Sequence, residues 1–393
     1  MTSALPPLPS RPPQVEQAAR LLPEVTRLLE SNSELSVNTM LRAQGHDPEV
    51  IRSALEQAAL LRKADASWIN ARPGWLLTRD GLEQATHPSV AEFHAGVVAA
   101  AGVRHVVDLT AGLGSDTVAL ARQIPQVTAV EQDPATAELL AFNLTNATNV
   151  TIAIGDSSRL EFPDADGFFV DPARRSGTRS ADGSRALPER DPERWSPPLS
   201  EVMRRAQGSL VFMKAAPAFN APQGWAQYFI SRNGNLIESF CTNASIGNHA
   251  VIIDSDSTTV LTQENISDAP AGTKIGGFMF EVDPAIIRAG LSGPIAQSLG
   301  LEVIGAGGMW LTGSVAPVVP YLRNYNVLET FPLRELKAHV QSLPGVALKT
   351  KDSRVDIDSL RKKIKKPDSN EWAVIFTSVA GEEICVLAQR APK

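Results

Sequence analysis

Apolar and polar positions in the first hundred residues follow a helical period. Apolar residues over 15–29 recur every three or four positions, so they fall on one face of a helix. Similar patterns predict helices over 48–64 and 89–101. The first 13 residues are rich in proline, and we expect them to be disordered. The pattern therefore predicts a helical N-terminal domain over residues 1–85.

The pattern changes at residue 105, where short apolar runs begin to alternate with helical stretches. This alternation is typical of βαβ units, which build a parallel sheet. We therefore predict an α/β domain with a Rossmann-like sheet over residues 86–255. The predicted strands are 105–109, 127–130, 150–154, 167–171, 209–213, 236–240 and 249–254, and the predicted helices are 116–123 and 134–146.

The last segment, residues 321–393, has a different order of elements, which predicts a small α+β module. Ala380-Gly381 lies between two alternating runs and predicts a β-hairpin turn. Residues 256–320 are predicted to form a linker or an additional α+β region, and 255–275 are notably polar. The predicted strands of the module are 321–328, 346–350, 371–378 and 383–389, and its helices are 333–341 and 356–366.

Composition excludes several classes of protein. The 393 residues contain 37 basic and 43 acidic side chains, a net charge of −6, which excludes a uniformly basic, histone-like protein. Two cysteines exclude a disulfide scaffold or a Cys-rich metal site, and the six histidines have no metal-ligand spacing. For the same reason we expect no bound metal. Neither a secretory signal nor a membrane span is evident, so we expect a cytoplasmic protein.

The strongest candidate site is a glycine loop between the first predicted strand of the sheet and the helix after it. Gly112 and Gly114 let the backbone turn tightly and approach a ligand. Glu131 follows 19 residues after Gly112 at the end of the next strand, where a carboxylate can accept both ribose hydroxyls. A dinucleotide fingerprint requires a third glycine, but Thr117 stands there, which disfavours a nicotinamide-dependent dehydrogenase.

Two further acids follow predicted strands of the same sheet. Asp108 is placed to meet an ammonium group, and Asp156 to accept a hydrogen bond from an adenine amino group. Together these features resemble class I S-adenosylmethionine-dependent methyltransferases. The resemblance implies a seven-stranded Rossmann-like sheet and S-adenosylmethionine as the cofactor. The cofactor-binding residues it implies are Asp108, Thr110, Gly112, Gly114, Asp116, Glu131, Gln132 and Asp156.

The fourth predicted strand ends in a second candidate motif. Asp171-Pro172 matches the first half of the motif with which amino-group methyltransferases hold the target amine, so we predict Asp171 and Pro172 as catalytic residues. Ala173 and Arg174 replace the proline and aromatic residue of the second half, which leaves the acceptor atom open. Arg174 and Arg175 are candidates for binding phosphate, because guanidinium groups pair with phosphate oxygens.

A basic cluster lies near the C-terminus. Residues 349–366 contain eight basic and three acidic side chains, a local charge of +5 in an acidic protein. Such an asymmetry is typical of a surface that binds nucleic acid. The predicted RNA-contacting residues here are Lys362, Lys363, Lys365 and Lys366.

The whole chain resembles a bacterial group of methyltransferases with a THUMP-like C-terminal domain. The residues that carry this resemblance are 84–88, 108–114, 171–175 and the basic C-terminal module. It implies RNA as the substrate, methylated on a base amino group or a ring nitrogen. Two alternatives stay open: a methyltransferase for a small molecule or a protein, and a protein that binds S-adenosylmethionine and RNA without catalysis.

Overall fold

The computed structural model describes residues 13–64, 66–162, 164–174, 189–255, 257–262, 268–351, 353 and 355–391. The disorder expected for the proline-rich start falls almost entirely outside these residues. The chain divides into two compact units, which we call the first unit (1–214 with 242–244) and the second unit (215–241 with 245–393). The domain boundaries expected at 85, 255 and 320 stay predictions.

The first unit begins with helices that share an apolar core. Leu21, Val25, Leu41 and Ile51 are buried in that core, and Asp47 caps the third helix by accepting from the Glu49 amide. The three predicted helices are confirmed as α1, α3 and α6. The helices are α1 Pro13–Leu28, α2 Glu34–Ala43, α3 Pro48–Leu61, α4 Ala66–Ala71, α5 Arg79–Gln84 and α6 Pro88–Ala100.

A parallel sheet follows in the first unit, and each of its strands corresponds to a predicted apolar run. The strand order is β3-β2-β1-β4-β5, so the chain reverses direction across the sheet between β1 and β4. In such sheets ligands bind beyond the carboxyl ends of the strands, at the point of reversal. The elements are β1 His105–Asp108, α7 Ser115–Gln123, β2 Gln126–Glu131, α8 Pro134–Asn143, β3 Val150–Ile154, β4 Gly167–Val170, a 3-10 turn Pro192–Arg194, α9 Leu199–Ala206 and β5 Leu210–Ala215.

The strands that follow are only partly those predicted. The predicted strands 236–240 and 249–254 are confirmed as β7 and β8, whereas β6 was not predicted. The polar stretch 255–275, for which a linker and an additional α+β region were both open, contains β9, which pairs antiparallel with β8. The bounds are β6 Ala226–Arg232, β7 Asn235–Thr242, β8 Gly247–Ile253 and β9 Thr258–Thr262.

A separate seven-stranded sheet of the second unit unites residues 278–313 with the C-terminal segment. Its order is β11-β12-β10-β13-β16-β15-β14, and β10 pairs directly with β13, with Met279 opposite Tyr325. Residues 278–313 therefore contribute three strands, β10, β11 and β12, to this sheet. The strands are β10 Phe278–Val282, β11 Glu302–Ile304, β12 Trp310–Gly313, β13 Leu322–Phe331, β14 Ala347–Thr350, β15 Trp372–Val379 and β16 Glu382–Arg390.

The C-terminal elements confirm the predicted α+β order. Ala380 and Gly381 both have positive φ, at 50° and 87°, as a two-residue hairpin turn between β15 and β16 requires. The helices of this unit are α10 Pro284–Ala289, α11 Ser292–Ser298, α12 Leu336–Val340 and α13 Ile357–Ile364, with 3-10 turns at Ala306–Gly308 and Leu333–Glu335. Among the described residues of the whole chain, no helix is both long enough and apolar enough to cross a membrane.

Candidate active site

A cavity of about 430 Å³ lies in the first unit, beyond the carboxyl ends of the parallel strands. Its walls come from the loops that follow β1, β2, β3 and β4, together with residues 84–86. The parallel sheet therefore brings together side chains that are far apart in the sequence. The predicted site residues that line this cavity are Asp108, Thr110, Gly112, Asp116, Glu131, Gln132, Asp156 and Asp171.

The two glycines of the loop have different roles. Gly112 lines the cavity with φ +53°, and a Cβ added there would meet no atom within 4 Å. Gly114 has φ +93° and does not line the cavity, and its added Cβ would lie 2.8 Å from Leu140 Cδ1. The structure thus requires Gly114 for the left-handed turn into α7 and for close packing on α8, whereas Gly112 leaves space on the cavity side.

Glu131 connects the ends of two strands. Its Oε2 accepts a hydrogen bond from the Gly112 amide at 3.0 Å, and its Oε1 accepts one from the Asp133 amide at 2.8 Å. Partial burial raises the pKa of Glu131, while these backbone hydrogen bonds act in the opposite direction. Because each carboxylate oxygen can accept more than one hydrogen bond, both oxygens can still accept from a ligand.

Asp108 lies at the end of β1 and is almost fully buried. Its carboxylate accepts from the Thr117 hydroxyl at 2.6 Å and from the Thr110 amide at 3.2 Å. Burial raises the pKa of Asp108 to about 7, since removing a carboxylate from water disfavours its charge. Its charge will therefore respond to any cation that enters the cavity.

Asp171 is held from two sides. Its backbone amide donates to Thr110 Oγ1 at 2.8 Å, and its Oδ2 accepts from Lys214 Nζ at 2.6 Å. The Asp171 side chain is 31% exposed and lines the cavity, whereas the Lys214 side chain is only 5% exposed. The predicted acid is therefore at the cavity, paired with a lysine that the sequence analysis missed.

Lys214 lies in β5 and belongs to a buried polar network. Besides Asp171 it contacts Thr86 Oγ1 at 2.6 Å and Asp116 Oδ2 at 3.2 Å. Asp116 also binds His94 Nδ1 at 2.9 Å. Burial alone would raise the pKa of Asp116, but Lys214 and His94 hold it well below its usual range. Asp116, predicted to bind the cofactor, therefore lines the cavity with both oxygens already engaged by protein groups.

Weak signals for these missed residues were present in the sequence. Lys214 is a charged residue that follows directly on the apolar run 210–213. A buried lysine needs a partner, and such a position is unusual in a buried strand. Thr86 lies within the segment 84–88, which the resemblance had marked without a role. His94 contacts Asp116 and so lies next to the site.

The residues that follow Asp171 in the motif differ in whether they line the cavity. Pro172 is buried and does not line the cavity, whereas Ala173 does and forms a backbone pair with Ser196. Arg174 is half-buried and does not line it either, and its carbonyl accepts from the Glu189 amide. Arg175 lies outside the described residues.

The basic cluster of the second unit is partly neutralised within the protein. Lys349 and Lys351 lie 2.9 Å and 3.2 Å from the carboxylate of Glu281, and these lysines lower the pKa of Glu281 to about 2 against the effect of its burial. Lys366 donates to the Gln341 and Leu343 carbonyls at 2.9 Å and 2.6 Å. The local charge of +5 therefore overstates the free charge; the exposed predicted lysines are Lys362, Lys363 and Lys365.

Comparisons with known proteins fit this architecture. The THUMP domain-like family matches residues 322–390. The fold is similar to the crystal structure of a presumed methyltransferase from Porphyromonas gingivalis W83, with a TM-score of 0.73 and 20% identity. The alignment covers 95% of this chain and 98% of the other. The predicted α/β class and the THUMP-like C-terminal domain are thereby confirmed.

Two further solved structures align with smaller parts of the chain. A presumed RNA methyltransferase from Pyrococcus horikoshii is 22% identical over 41% of this chain and 73% of its own, with a TM-score of 0.27. An O-methyltransferase from Streptomyces achromogenes, solved in complex with S-adenosylmethionine, is 14% identical over 47% and 87%, with a TM-score of 0.29. No curated protein sequence matches the chain.

Proposed function

We propose that this chain, which combines a methyltransferase-type α/β fold with a THUMP-like C-terminal domain, is an S-adenosylmethionine-dependent methyltransferase that acts on RNA. One observation carries the proposal. Asp108, Gly112, Glu131 and Asp171 come from the ends of three different strands, and all line one cavity. A glycine that leaves open space, an acid for a ribose and an acid beside the reacting group are the parts that such an enzyme needs.

The hydrogen-bond acceptors of the cavity fit S-adenosylmethionine. Asp108 is assigned to the ammonium group, Glu131 to the ribose hydroxyls, and Asp156 to the adenine amino group. The open space beside Gly112 accommodates a ligand close to the backbone. When bound, S-adenosylmethionine supplies a methyl group attached to a sulfonium. The acceptor takes this methyl group, and the rest of the molecule is left as a neutral thioether. The protein's contribution is mainly to position the acceptor.

Asp171 is assigned the role of holding that acceptor. An ionised carboxylate can only accept hydrogen bonds, so it orients an acceptor that carries an N–H. A hydrogen bond from that N–H fixes the nitrogen lone pair toward the methyl group. The acceptor nitrogen then loses its proton to water once it carries the methyl group.

RNA as the substrate is supported by the second unit. A THUMP-like domain and exposed lysines on and beside α13 both fit a partner with a phosphate backbone. Lys362, Lys363 and Lys365 are assigned to phosphate contacts, and Arg174 and Arg175 remain predicted phosphate-binding residues. Lys366 is left as a secondary contact, since its ammonium already binds two backbone carbonyls.

The test is transfer of a labelled methyl group. Purified protein is incubated with methyl-tritiated S-adenosylmethionine and with RNA from a strain that lacks the protein. We expect label in this RNA, little label in RNA from the wild-type strain, and one methylated nucleoside by mass spectrometry. If neither RNA takes up label although the protein binds S-adenosylmethionine tightly, RNA methylation is refuted.

A second candidate function is a non-catalytic protein that binds S-adenosylmethionine and RNA. The observation that favours it is Arg174, which stands in place of the aromatic residue that would stack on a base and does not line the cavity. The same experiment separates the two candidates, because a binding protein would retain both ligands without transferring label.

A further inference from the structure

The buried ammonium group of Lys214 contacts polar groups from three separate parts of the chain. An ammonium group has three N–H donors, and Lys214 contacts three acceptors, Thr86 Oγ1, Asp116 Oδ2 and Asp171 Oδ2. Its side chain is 5% exposed, so this charge has been removed from water. Burying a lysine costs free energy unless it is paired. The network therefore holds one charge in a fixed position between the protein interior and the cavity.

We propose that Lys214 is a positioning residue for methyl transfer, which binds Asp171 Oδ2 and so directs Asp171 Oδ1 toward the methyl acceptor. The proposal rests on the proposed function and adds to it the residue that sets the geometry of its acid. The acceptor class follows as well. An ionised carboxylate only accepts hydrogen bonds, so Asp171 Oδ1 suits an exocyclic amino group, which carries N–H, better than a ring nitrogen without hydrogen.

Two contacts with different effects support this role. The hydrogen bond from the Asp171 amide to Thr110 Oγ1 fixes the backbone at the end of β4. The contact between Lys214 and Oδ2 fixes the rotation of the carboxylate itself. Lys214 is in turn fixed by Asp116 and Thr86, which leave its ammonium little freedom. A chain of buried contacts thus reaches from α6 and α7 to the one oxygen that faces the acceptor.

The test compares Lys214→Met, which keeps the length and removes the charge, with Lys214→Arg, which keeps the charge. A misplacement of the acceptor by about 1 Å costs about 100-fold in rate. We therefore expect Lys214→Met to lower kcat for tritium transfer to RNA from the deletion strain by about 100-fold. The KM for S-adenosylmethionine should stay within about threefold of the wild type, since Asp116, the predicted cofactor residue that Lys214 contacts, has both oxygens engaged by protein groups. Lys214→Arg should restore part of kcat. Lys274→Met, on the exposed surface of the second unit, is the matched control.

Loss of folding must be separated from loss of positioning. Lys214→Met leaves Asp116 buried without its cation, so the double variant Asp116→Asn/Lys214→Met restores neutrality. Thermal unfolding and calorimetric binding of S-adenosylmethionine establish that each variant is folded. If the folded double variant transfers methyl groups at the wild-type rate, the inference is wrong while the proposed function stands.

A second pairing tests whether Lys214 acts through Asp171. In the Asp171→Ala background, Lys214→Met should cause no further loss of kcat, because the carboxylate it positions is absent. An additive loss would show that Lys214 acts on its own and would overturn the inference. If the wild-type protein transfers no label at all, the proposed function fails and the inference fails with it.

Discussion

Glu131 Oε2 accepts a hydrogen bond from the backbone amide of Gly112 at 3.0 Å, so the acid assigned to the ribose also holds the glycine loop. The ligand contact and the loop geometry are therefore not independent. Substitutions at either position will change both, and an experiment on this loop must separate the two effects.

Substitution of Gly112 tests the site assignment. Gly112→Ala should lower the affinity for S-adenosylmethionine by at least tenfold, because its Cβ enters the open side of the loop. Its φ of +53° also imposes about 1–2 kcal/mol of strain on any other residue. Gly45→Ala is the matched control, since Gly45 has φ +87°, an equally open Cβ position and no place in the cavity wall. Calorimetry showing equal affinities in both variants would remove Gly112 from the site.

Glu131→Gln tests the double role of this acid. The glutamine places an NH₂ group against one of the two backbone amides that Glu131 now accepts from, so a donor meets a donor. We expect a loss of binding free energy of about 1.5–3 kcal/mol for S-adenosylmethionine, the range for hydrogen bonds to a charged group. Isothermal titration measures it. Unchanged affinity would indicate that Glu131 supports the loop only.

Binding of S-adenosylmethionine should depend on pH through Asp108. The pKa of Asp108 is about 7 in the free protein, so below pH 7 the carboxyl is largely protonated, and a bound ammonium must displace that proton. Affinity should therefore rise with pH up to about 7, by at most tenfold per pH unit. Calorimetry between pH 5.5 and 7 in buffers of different ionisation enthalpy should also detect the released proton. Asp108→Asn should abolish this dependence, and an identical pH profile in that variant would contradict the assignment.

Asp171→Ala should separate binding from turnover. The side chain is assigned to the acceptor, so affinity for S-adenosylmethionine should stay nearly unchanged while methyl transfer falls by about 100-fold or more. Equilibrium binding and tritium transfer to RNA from the deletion strain measure the two quantities. Wild-type turnover in this variant would make Asp171 a structural partner of Lys214.

The lysines of the second unit should determine how RNA binding responds to salt. Replacing Lys362, Lys363 and Lys365 with glutamine removes three charges, which should flatten the slope of log affinity against log salt by about 2 for single-stranded RNA. Lys366 is retained, because its bonds to two carbonyls make its loss a structural change as well. Lys274→Gln is the single-charge control. Unchanged slopes in gel-shift titrations would place the RNA elsewhere.

The sequence predicted those parts of the site that depend on local pattern. Asp108, Glu131 and Asp171 each end a short apolar run, and a parallel sheet places such ends at one edge. Lys214 was missed because its partner Thr86 lies 128 residues away, and no local pattern records that contact. β9 was missed since none of its five residues is buried and three are exposed, as an edge strand allows.

The roles of the loop glycines and of the basic cluster also depend on residues that are distant in the sequence. Gly112 and Gly114 are equivalent in the sequence, and only the position of Leu140 distinguishes packing from an open cavity. Lys349 and Lys351 counted toward a basic surface, but Glu281, almost seventy residues earlier, neutralises part of their charge. Local composition therefore gives an upper limit on the charge available to a partner.

The pairing of β10 with β13 has a consequence for where the chain can be cut. The recognisable THUMP-like segment begins at residue 322, in the middle of a continuous sheet, because β10 on one side of β13 belongs to residues 278–282. Cutting the chain there would separate β10 from β13 and expose the unpaired backbone amides and carbonyls of both strands. Exposed strand edges promote aggregation. The segment that the family model matches is thus shorter than the segment that we expect to fold by itself.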